Sequence, residues 1–432
     1  MGKKFLSMLG TSSYNECYYS YDNGERVNTK FIQEALIKNL CKEWTSDDEI
    51  IIFLTEQARN NNWFNESDES RRLQERLKQF NIKVKDVYIP NANNEDEIWA
   101  MFETILDNIG ESDEIIFDIT HSFRSIPMLV LVILNYAKVI KNIDISGIYY
   151  GAYEGRVKEG DIKIAPIINL TAFNDLLEWS EAFNLFLKYG NSEQINALSK
   201  KVLKRKLINK DEEAFLVRDF VNRLDDFTNC IYTCRGKLSN KKSDNRNSIG
   251  LSYKIMNQYL EKLINKEDLK MEIKPLVPLF KKVKDRTEEF NSGDNLNTGL
   301  AVVKWSIDNN LIQQAYTALD ETLKTYVCIK FNLDETDVGL REEVATKALR
   351  IKAKELKEEK WKVKEEYKDK IRFIVENLDD EIKKISSPIN QLRNDINHFG
   401  YTQNVSNYET LKSNIKTQYE NLKELINQIY LS

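Results

Sequence analysis

Histidine is the scarcest titratable residue in this 432-residue chain, which contains two, His121 and His398. Imidazole is the side chain whose ordinary pKa lies nearest to neutral pH, so the chain offers few positions for acid–base chemistry at pH 7. Each histidine lies in a polar stretch. Residues 118–124 have the sequence Asp-Ile-Thr-His-Ser-Phe-Arg, and residues 391–400 have the sequence Gln-Leu-Arg-Asn-Asp-Ile-Asn-His-Phe-Gly. These two stretches are the candidate functional sites.

Other absences exclude whole classes of protein. The sequence has no run of eighteen apolar residues, which argues against a transmembrane helix, and residues 10–13 end the first apolar run too early for a signal peptide. Its five cysteines are odd in number and scattered, so no disulfide framework is expected. Cys230 and Cys234 are four positions apart with no histidine nearby, which argues against structural zinc. We expect a cytoplasmic protein without a metal site.

A strong positive charge is also missing. The net charge is −5 and the isoelectric point is about 5.6. The protein therefore has no overall field that attracts nucleic acid, and any bound RNA would have to be held by a local site.

Residues 1–171 alternate short apolar runs with amphipathic stretches, which predicts an α/β Rossmann-like domain with helices covering a parallel sheet. The predicted strands are 5–9, 49–54, 82–89, 114–119, 145–150 and 162–170, and the predicted helices are 27–44, 70–80, 95–109 and 127–140. A hairpin at 155–160 separates the last two strands without a helix, so the sheet is expected to end antiparallel.

From residue 172 onward the pattern becomes helical, which predicts an all-α helical bundle as the C-terminal part. The predicted helices are 173–189, 192–207, 212–234, 252–264, 276–290, 300–331 and 341–375, with a basic loop at 236–250. Ser386, Ser387 and Pro388 predict a helix start, and Gly400 predicts its end. We expect three domains, at 1–171, 172–290 and 291–432.

Three polar loops follow predicted strands, where ligands bind in open parallel sheets. They contain Gly10, Thr11, Ser12 and Ser13 in the first, Thr55, Glu56 and Gln57 in the second, and Thr120, His121, Ser122 and Arg124 in the third. Small hydroxyl residues let backbone N–H groups approach phosphate oxygens, and arginine binds phosphate with two hydrogen bonds. The alternative is structural, with Thr120 and Ser122 capping a helix and His121 making a hydrogen bond. No Gly-x-Gly-x-x-Gly motif or Walker lysine indicates a dinucleotide or triphosphate.

The second site is Arg393-x4-His398. Cleavage of RNA by its own 2′-hydroxyl needs a base, an acid and a cation, which histidine and arginine supply without a metal. Residues five apart point about 140° away from each other on a regular helix, so the pair shares a face only if the helix ends there. One histidine cannot easily act as both acid and base, whereas a two-fold dimer would supply two. The alternative is a histidine favoured by the helix dipole.

The chain resembles the CRISPR-associated CARF–HEPN ribonucleases of type III systems. The resemblance is carried by residues 9–14, by the Asp-x-Thr-His-x-x-Arg-x-x-Pro block that begins at Asp118, by residues 313–317 and by Arg393-Asn394-x3-His398. It implies a CARF sensing domain at 1–171, a helical connector at 172–290 and a HEPN ribonuclease domain at 291–432. It also implies that Arg393 and His398 are catalytic with Asn394 as an accessory residue.

The resemblance further implies that the three strand-end loops bind a cyclic oligoadenylate activator, and that a homodimer, or a larger oligomer, then degrades single-stranded RNA. Ser12-Ser13 departs from the family pattern, so cyclic tetra-adenylate is expected while hexa-adenylate stays open. Two rival functions are retained. One is a sensor without enzymatic activity that docks an effector, and the other is a nuclease that degrades the activator itself with the hydroxyls of residues 11–13.

Overall fold

The computed structural model describes residues 2–22, 25–65, 67–69, 72–121, 126–237, 241–244 and 246–431. The chain forms two compact units, Met1–Asp175 and Leu176–Ser432. The first contains the strands and the second is helical, which confirms the predicted fold class. The division of the helical part at residue 290 stays a prediction.

The strands of the first unit form one mixed sheet. They are β1 Lys3–Leu9, β2 Cys17–Ser20, β3 Val27–Thr29, β4 Glu49–Leu54, β5 Lys83–Tyr88, β6 Glu114–Asp118, β7 Asp144–Gly151, β8 Val157–Glu159 and β9 Ile162–Asn169. Their order is β3-β2-β9-β7-β6-β1-β4-β5, with β8 beside β9. The adjacent strands β7, β6, β1, β4 and β5 are parallel, and β9 is antiparallel to β7, as predicted. The sheet does not end at β9, contrary to the prediction, because β2 pairs in parallel with β9 and β3 pairs antiparallel with β2.

Both faces of the inner strands β1, β4 and β6 are largely buried, because helices cover them, whereas the edge strand β5 is mostly exposed. In β4, Ile50, Ile52 and Leu54 point into one core cluster and Ile51 and Phe53 into the other. The helices of this unit are α1 Ile32–Leu40, α2 Glu56–Ala58, α3 Leu73–Leu77, α4 Glu95–Asp107 and α5 Ile126–Lys141. Helices α1 and α3 pack on the first cluster, and α4 and α5 on the second. Burial on both faces explains why these inner strands are continuous apolar runs in the sequence.

The region before α1 differs from the prediction. Strands β2 and β3 were not predicted, and the helix expected over 27–44 is shorter because Val27 and Thr29 pair with β2 instead. The side chains of Cys17 and Tyr19 are buried against that helix, so tertiary packing outweighs the local helical spacing. The helix expected over 70–80 is likewise reduced to α3.

The second unit consists of helices. They are α6 Thr171–Tyr189, which begins in the first unit, α7 Glu193–Val202, α8 Lys204–Ile208, α9 Glu212–Tyr232, α10 Ile249–Ile264, α11 Val277–Thr287, α12 Asn295–Asp308, α13 Ile312–Lys330, α14 Val338–Leu340, α15 Thr346–Lys354, α16 Glu365–Asn377, α17 Glu381–Asn397 and α18 Tyr408–Leu431. One core cluster lies among α6 to α12 and a second among α12 to α18. Helix α12 contributes to both, so it joins them.

Three predicted helices are divided in the structure. The helix expected over 192–207 is split into α7 and α8. That expected over 300–331 is interrupted at Asn310, which has a φ of +58°, and the halves become α12 and α13. The charge-dense stretch 341–375 contains a π-helical turn at Arg341–Ala345, α15 and α16, with a left-handed residue, Glu355, ending α15. Local charge spacing did not reveal these breaks.

Pro388 does not begin a helix, contrary to the prediction, but lies inside α17. A proline in a helix interior costs about 3 kcal/mol. The helix nevertheless buries Ile382, Ile385, Ile389 and Leu392 on one face, each contributing roughly 1.5–3 kcal/mol. Because burial of this stripe outweighs the missing hydrogen bond, the helix starts seven residues earlier than expected.

Among the described residues, no helix is both long and apolar enough to cross a membrane. The same residues include no cluster of three potential metal-binding side chains. All five cysteines are free, and Cys17, Cys41, Cys230 and Cys328 are buried.

Candidate functional site

The topology places the first predicted site at a switch in strand order. Strands β4 and β5 lie on one side of β1, and β6 and β7, which follow them in the chain, lie on the other side. The carboxyl ends of β1 and β6 are therefore neighbours at the point where ligands bind in open parallel sheets.

A cavity of about 500 Å³ lies at this edge. Its lining includes seven of the predicted residues, namely Gly10, Thr11, Ser12, Ser13, Thr55, Thr120 and His121. Sequence reasoning missed the other polar and aromatic residues of the lining, which are Tyr14, Asn15, Tyr19, Lys30, Tyr150, Tyr153 and Glu154. A cavity of this volume, rich in aromatic rings and hydroxyls, is typical of a site for a small organic ligand.

A buried carboxylate supports the floor of the cavity. Asp118, which is 1% exposed, accepts hydrogen bonds from Ser7 Oγ at 2.7 Å, Thr120 N at 2.9 Å and Thr120 Oγ1 at 2.6 Å. Gln33 Nε2 donates to Ser7 Oγ at 3.1 Å. Burial raises the pKa of Asp118, and these hydrogen bonds oppose the shift. The Thr120 hydroxyl thus donates its proton to Asp118, and the same hydroxyl oxygen accepts a hydrogen bond from Gly151 N at 2.8 Å.

Two asparagines that the sequence did not single out fix the loop after β1. Asn62 Nδ2 donates to the carbonyl oxygens of Gly10 and Ser12 at 2.9 and 2.8 Å, and Asn61 Nδ2 donates to Thr11 O at 2.9 Å. Both lie in a π-helical turn, Arg59–Trp63, that follows α2. Since the carbonyls point to these amides, the loop is held in one conformation before any ligand binds.

Gly10 packs closely against Tyr14 and His121. A Cβ built at this position would lie 2.6 Å from Tyr14 Oη and 3.6 Å from His121 Cβ. The rings of Tyr14 and His121 are stacked, with centroids 4.4 Å apart and planes at 32°. The ring of Tyr14 also meets Phe31 edge to face.

His121 itself is neutral near pH 7, because burial lowers its pKa to about 4. Its Nε2 atom is buried without a hydrogen-bond partner among the described residues. A buried polar atom without a partner in the protein is a position where water or a ligand can form the hydrogen bond. The neutral ring can accept or donate one hydrogen bond and presents a flat aromatic edge, which suits a nucleobase better than a phosphate.

The other predicted residues of this site behave differently. Thr55 caps α2, its hydroxyl accepting from Ala58 N at 3.3 Å, and the predicted loop is therefore the start of a helix. Glu56 and Gln57 are exposed on that helix and are not among the residues lining the cavity. Ser122, Arg124 and the predicted helix cap Ser125 lie outside the described residues. The ligand-binding roles stay predictions.

In the second predicted site, Arg393 lies on α17 and faces α13. Its Nη1 donates to Asp320 Oδ2 at 2.5 Å. Burial raises the pKa of Cys234, and the charges of Arg235 and Arg393 oppose that shift. Cys234 lines a second cavity of about 350 Å³ in the helical unit. Arg393 is partly buried and ion-paired with Asp320.

His398 marks the end of α17. Its φ and ψ, −90° and 14°, are those of a helix C-cap, and Phe399 and Gly400 follow with φ of +56° and +75°. Gly400 N donates to Asp395 O and Phe399 N to Ile396 O, the hydrogen bonds of a Schellman motif. The helix therefore ends at the histidine, as expected, although the first left-handed residue is Phe399. Such a conformation costs a non-glycine residue about 1–2 kcal/mol.

The loop after His398 is held by a buried side chain. Asp395 is 5% exposed and accepts hydrogen bonds from Ser406 N at 2.7 Å and Thr402 Oγ1 at 3.0 Å. These bonds, chiefly the one from Ser406, lower the pKa of Asp395. His398 and Asn394 are exposed, and no side-chain hydrogen bond joins Arg393 to His398 among the described residues.

The residues 313–317 have a structural role. Tyr316 is buried in α13 and its hydroxyl donates to Leu411 O of α18 at 3.0 Å. Gln314 Nε2 donates to Tyr232 O at 3.3 Å. These bonds tie α13 to its neighbours and fix the helix that carries Asp320.

The fold and the strand-end cavity define a Rossmann-like ligand-binding domain attached to a helical domain. Residues 4–154 match a family model described as CRISPR system endoribonuclease Csx1, CARF domain. The match covers β1 to β7 and the whole cavity edge. Residues 4–154 thus form a CARF domain, which confirms that part of the resemblance.

The chain is also similar to a curated protein that is described as CRISPR-associated. The chain is 27% identical over 243 residues to CRISPR-associated protein MJ1674 of Methanocaldococcus jannaschii. The alignment covers 56% of this chain and 33% of the relative, so the chain spans about a third of that protein's length.

Proposed function

We propose that this protein is a cytoplasmic endoribonuclease of type III CRISPR antiviral defence that cyclic oligoadenylate activates. The observation that carries the proposal is the CARF match at residues 4–154, combined with Arg393 and His398 at the end of one helix in the other unit. The matched family is described as the CARF domain of an endoribonuclease, and we place the nuclease centre outside the matched residues.

The activator would bind at the carboxyl ends of β1 and β6. The stacked rings of Tyr14 and His121 offer a surface for adenine, and the hydroxyls of residues 11–13 together with Lys30 suit a phosphate-linked ring. A cavity of about 500 Å³ fits a ligand of drug size. A ring of four or six nucleotides is larger and would extend into the cavity of a second copy.

RNA cleavage would proceed by attack of the 2′-hydroxyl on the adjacent phosphorus. A bond forms between the 2′-oxygen and phosphorus, and the bond to the 5′-oxygen breaks, which leaves a cyclic phosphate and a 5′-hydroxyl. One His398 would accept the 2′ proton and another imidazole would protonate the leaving oxygen. Arg393 would stabilise the extra negative charge on the phosphate, and no step needs a metal ion.

A second copy would complete the centre, because one chain contributes one imidazole to it. Exposed apolar residues on α5 support self-association, with Met128 76%, Val132 59% and Val139 84% exposed. Contiguous exposed apolar surface of this kind is uncommon on monomers. The predicted homodimer therefore has a candidate surface in the CARF domain.

His398→Ala tests the proposal. Without the imidazole we expect the rate of RNA cleavage to fall at least about 100-fold, in line with the contribution of general acid–base catalysis. The measurement is degradation of single-stranded RNA in EDTA with a panel of cyclic tetra-adenylate and hexa-adenylate rings. Asn397→Ala, at the exposed neighbouring position, is the matched control and should cleave normally.

The two rival functions make different predictions in the same experiment. A sensor without enzymatic activity would leave RNA intact in the presence of every ring. A nuclease acting in the CARF domain would linearise the activator in the His398→Ala variant, which separates it from RNA cleavage. Wild-type RNA cleavage by His398→Ala would refute the proposed centre.

A further inference from the structure

A chain of alternating charges begins at the proposed catalytic arginine. Asp320 accepts from Arg393 Nη1 at 2.5 Å and lies 3.3 Å from Lys324 Nζ. The side chains of Asp320 and Lys324 are 7% and 9% exposed, while that of Arg393 is 29% exposed. The contact between Asp320 and Arg393 is therefore a partly desolvated, charge-assisted hydrogen bond, which is the stronger kind.

The chain continues away from the arginine. Lys324 Nζ lies 2.8 Å from Glu321 and 3.6 Å from Glu342, and Arg341 Nη2 donates to Glu321 Oε2 at 2.7 Å. Burial lowers the pKa of Lys324, but the carboxylates of Asp320 and Glu321 raise it overall, so the ammonium stays charged. Asp320 would keep Lys324 as its partner if Arg393 were removed. Lys324 would keep two carboxylates if Asp320 were neutralised.

The guanidinium of Arg393 is held at one end. Nη1 is bonded to Asp320, whereas Nε is buried without a hydrogen-bond partner among the described residues. Nη2 also donates no hydrogen bond to any of the described residues. A guanidinium has five N–H donors in a fixed fork, so an anchor at Nη1 fixes the direction in which the remaining donors point.

We propose that Asp320 is a positioning residue that orients the guanidinium of Arg393 toward the scissile phosphate of RNA. The assignment rests on the proposed ribonuclease function. The Asp320 carboxylate lies 73 positions before Arg393 on a different helix, so it fixes the guanidinium relative to α13 as well as to its own backbone. A flexible arginine side chain without this anchor would populate several rotamers, of which few present the fork correctly.

A stabilising role alone explains the contact less well. Buried ion pairs contribute little net stability, because desolvation offsets most of the attraction. The redundancy of the network also means that neutralising Asp320 leaves no unpaired lysine behind. Variants with a single substitution in this charge network are therefore expected to fold, which makes a kinetic test possible.

The first test compares single-turnover RNA cleavage at saturating cyclic oligoadenylate. Asp320→Asn keeps the size of the side chain and removes its charge, and we expect the rate to fall about tenfold. Asp320→Ala should lower it about 100-fold, the scale of a misplacement near 1 Å. The control is Asp379→Asn, since Asp379 is another ion-paired carboxylate of the helical unit, bound to Lys330 and Tyr326 and without contact to Arg393.

A second readout separates positioning from a structural role. In Arg393→Ala, added methylguanidinium should restore part of the cleavage by occupying the vacated place beside Asp320. In the double variant with Asp320→Asn, the concentration needed for half-maximal rescue should rise about tenfold or more, because a charge-assisted hydrogen bond to the added guanidinium is lost. Equal rescue in both backgrounds would contradict the proposal.

The remaining outcomes are also decisive. Wild-type cleavage by Asp320→Asn, with the variant shown to be folded by thermal melting, would overturn the positioning role and leave the proposed function intact. Full activity of Arg393→Ala would instead refute the proposed function. If the Asp320→Asn variant failed to fold, Asp320→Glu would replace it. Glutamate keeps the charge but moves the carboxylate by one methylene. An unchanged cleavage rate in the Asp320→Glu variant would overturn the inference.

Discussion

Asp118 and His121 lie three residues apart at the end of β6, and burial shifts both of their pKa values toward the neutral form. Desolvation raises the pKa of the carboxyl and lowers that of the imidazole. Three hydrogen bonds offset the desolvation of the Asp118 carboxyl group, whereas the Nε2 atom of His121 has no hydrogen-bond partner among the described residues. The Asp118 carboxyl thus has a structural role, and the His121 imidazole is the group that can form a hydrogen bond to a ligand.

The neutral His121 predicts a pH dependence of stability. Its pKa is about 4 in the folded protein and ordinarily 6.5, so between these values the unfolded chain binds more protons. The free energy of unfolding should therefore decrease as the pH falls through this window. Between pH about 7 and about 5 we expect wild type to lose about 2 kcal/mol more than His121→Gln, which lacks the titrating group.

Urea unfolding at the two pH values measures this difference. Asp118 and all other groups titrate alike in the two proteins, so their contributions cancel in the comparison. Equal losses in wild type and variant would mean that the imidazole is accessible to protons in the folded state. Cyclic oligoadenylate that bonds to neutral His121 should also bind more weakly as the imidazole becomes protonated.

At the scale of elements, α17 connects the fold to the proposed chemistry. The helix continues through Pro388, and it ends in a Schellman motif that leaves His398 exposed. Its buried isoleucines fix the rotation of the helix, and that rotation turns Arg393 toward α13. The packing of one apolar stripe therefore decides where the arginine points.

Pro388→Ala should stabilise the protein. Alanine restores a backbone N–H to the helix interior, where proline is about 3 kcal/mol less favourable. Since the surrounding structure already accommodates the ring, we expect a gain of about 1 kcal/mol, measured as an increase in Tm. Ser387→Ala, at the preceding exposed position, is the control and should shift Tm much less. A lower Tm for Pro388→Ala would show that the ring contributes more by packing than it costs the helix.

At the scale of the whole molecule, the exposed face of α5 should mediate self-association. Val139 is 84% exposed, and a glutamate in its place would bring a charge into an apolar contact between two copies. We expect Val139→Glu to weaken dimerisation at least about tenfold, measured by sedimentation equilibrium. Met271→Glu introduces the same charge at an apolar position that is 81% exposed in the helical unit, and it should dimerise as wild type does. Equal dimerisation of the two variants would assign the contact to another surface.

The sequence by itself determined the fold class, the order of the parallel strands along the chain and the position of seven cavity residues. It did so because a strand buried on both faces is a continuous apolar run, and because the carboxyl ends of parallel strands meet at one edge of the sheet. The resemblance also identified the CARF domain correctly. The catalytic and ligand-binding roles stay predictions.

Tertiary structure alone decided which side chains meet. Ser7 and Asp118 are 111 positions apart, and Asp320 and Arg393 are 73 apart, so no local pattern reveals either contact. Likewise, Glu56 and Gln57 follow a strand as expected, but Thr55 caps a helix that leaves them exposed. Hydrophobic spacing reports which face of an element is buried, whereas contacts between polar side chains depend on how the elements pack. The anchor on Arg393 therefore becomes visible only in the folded protein.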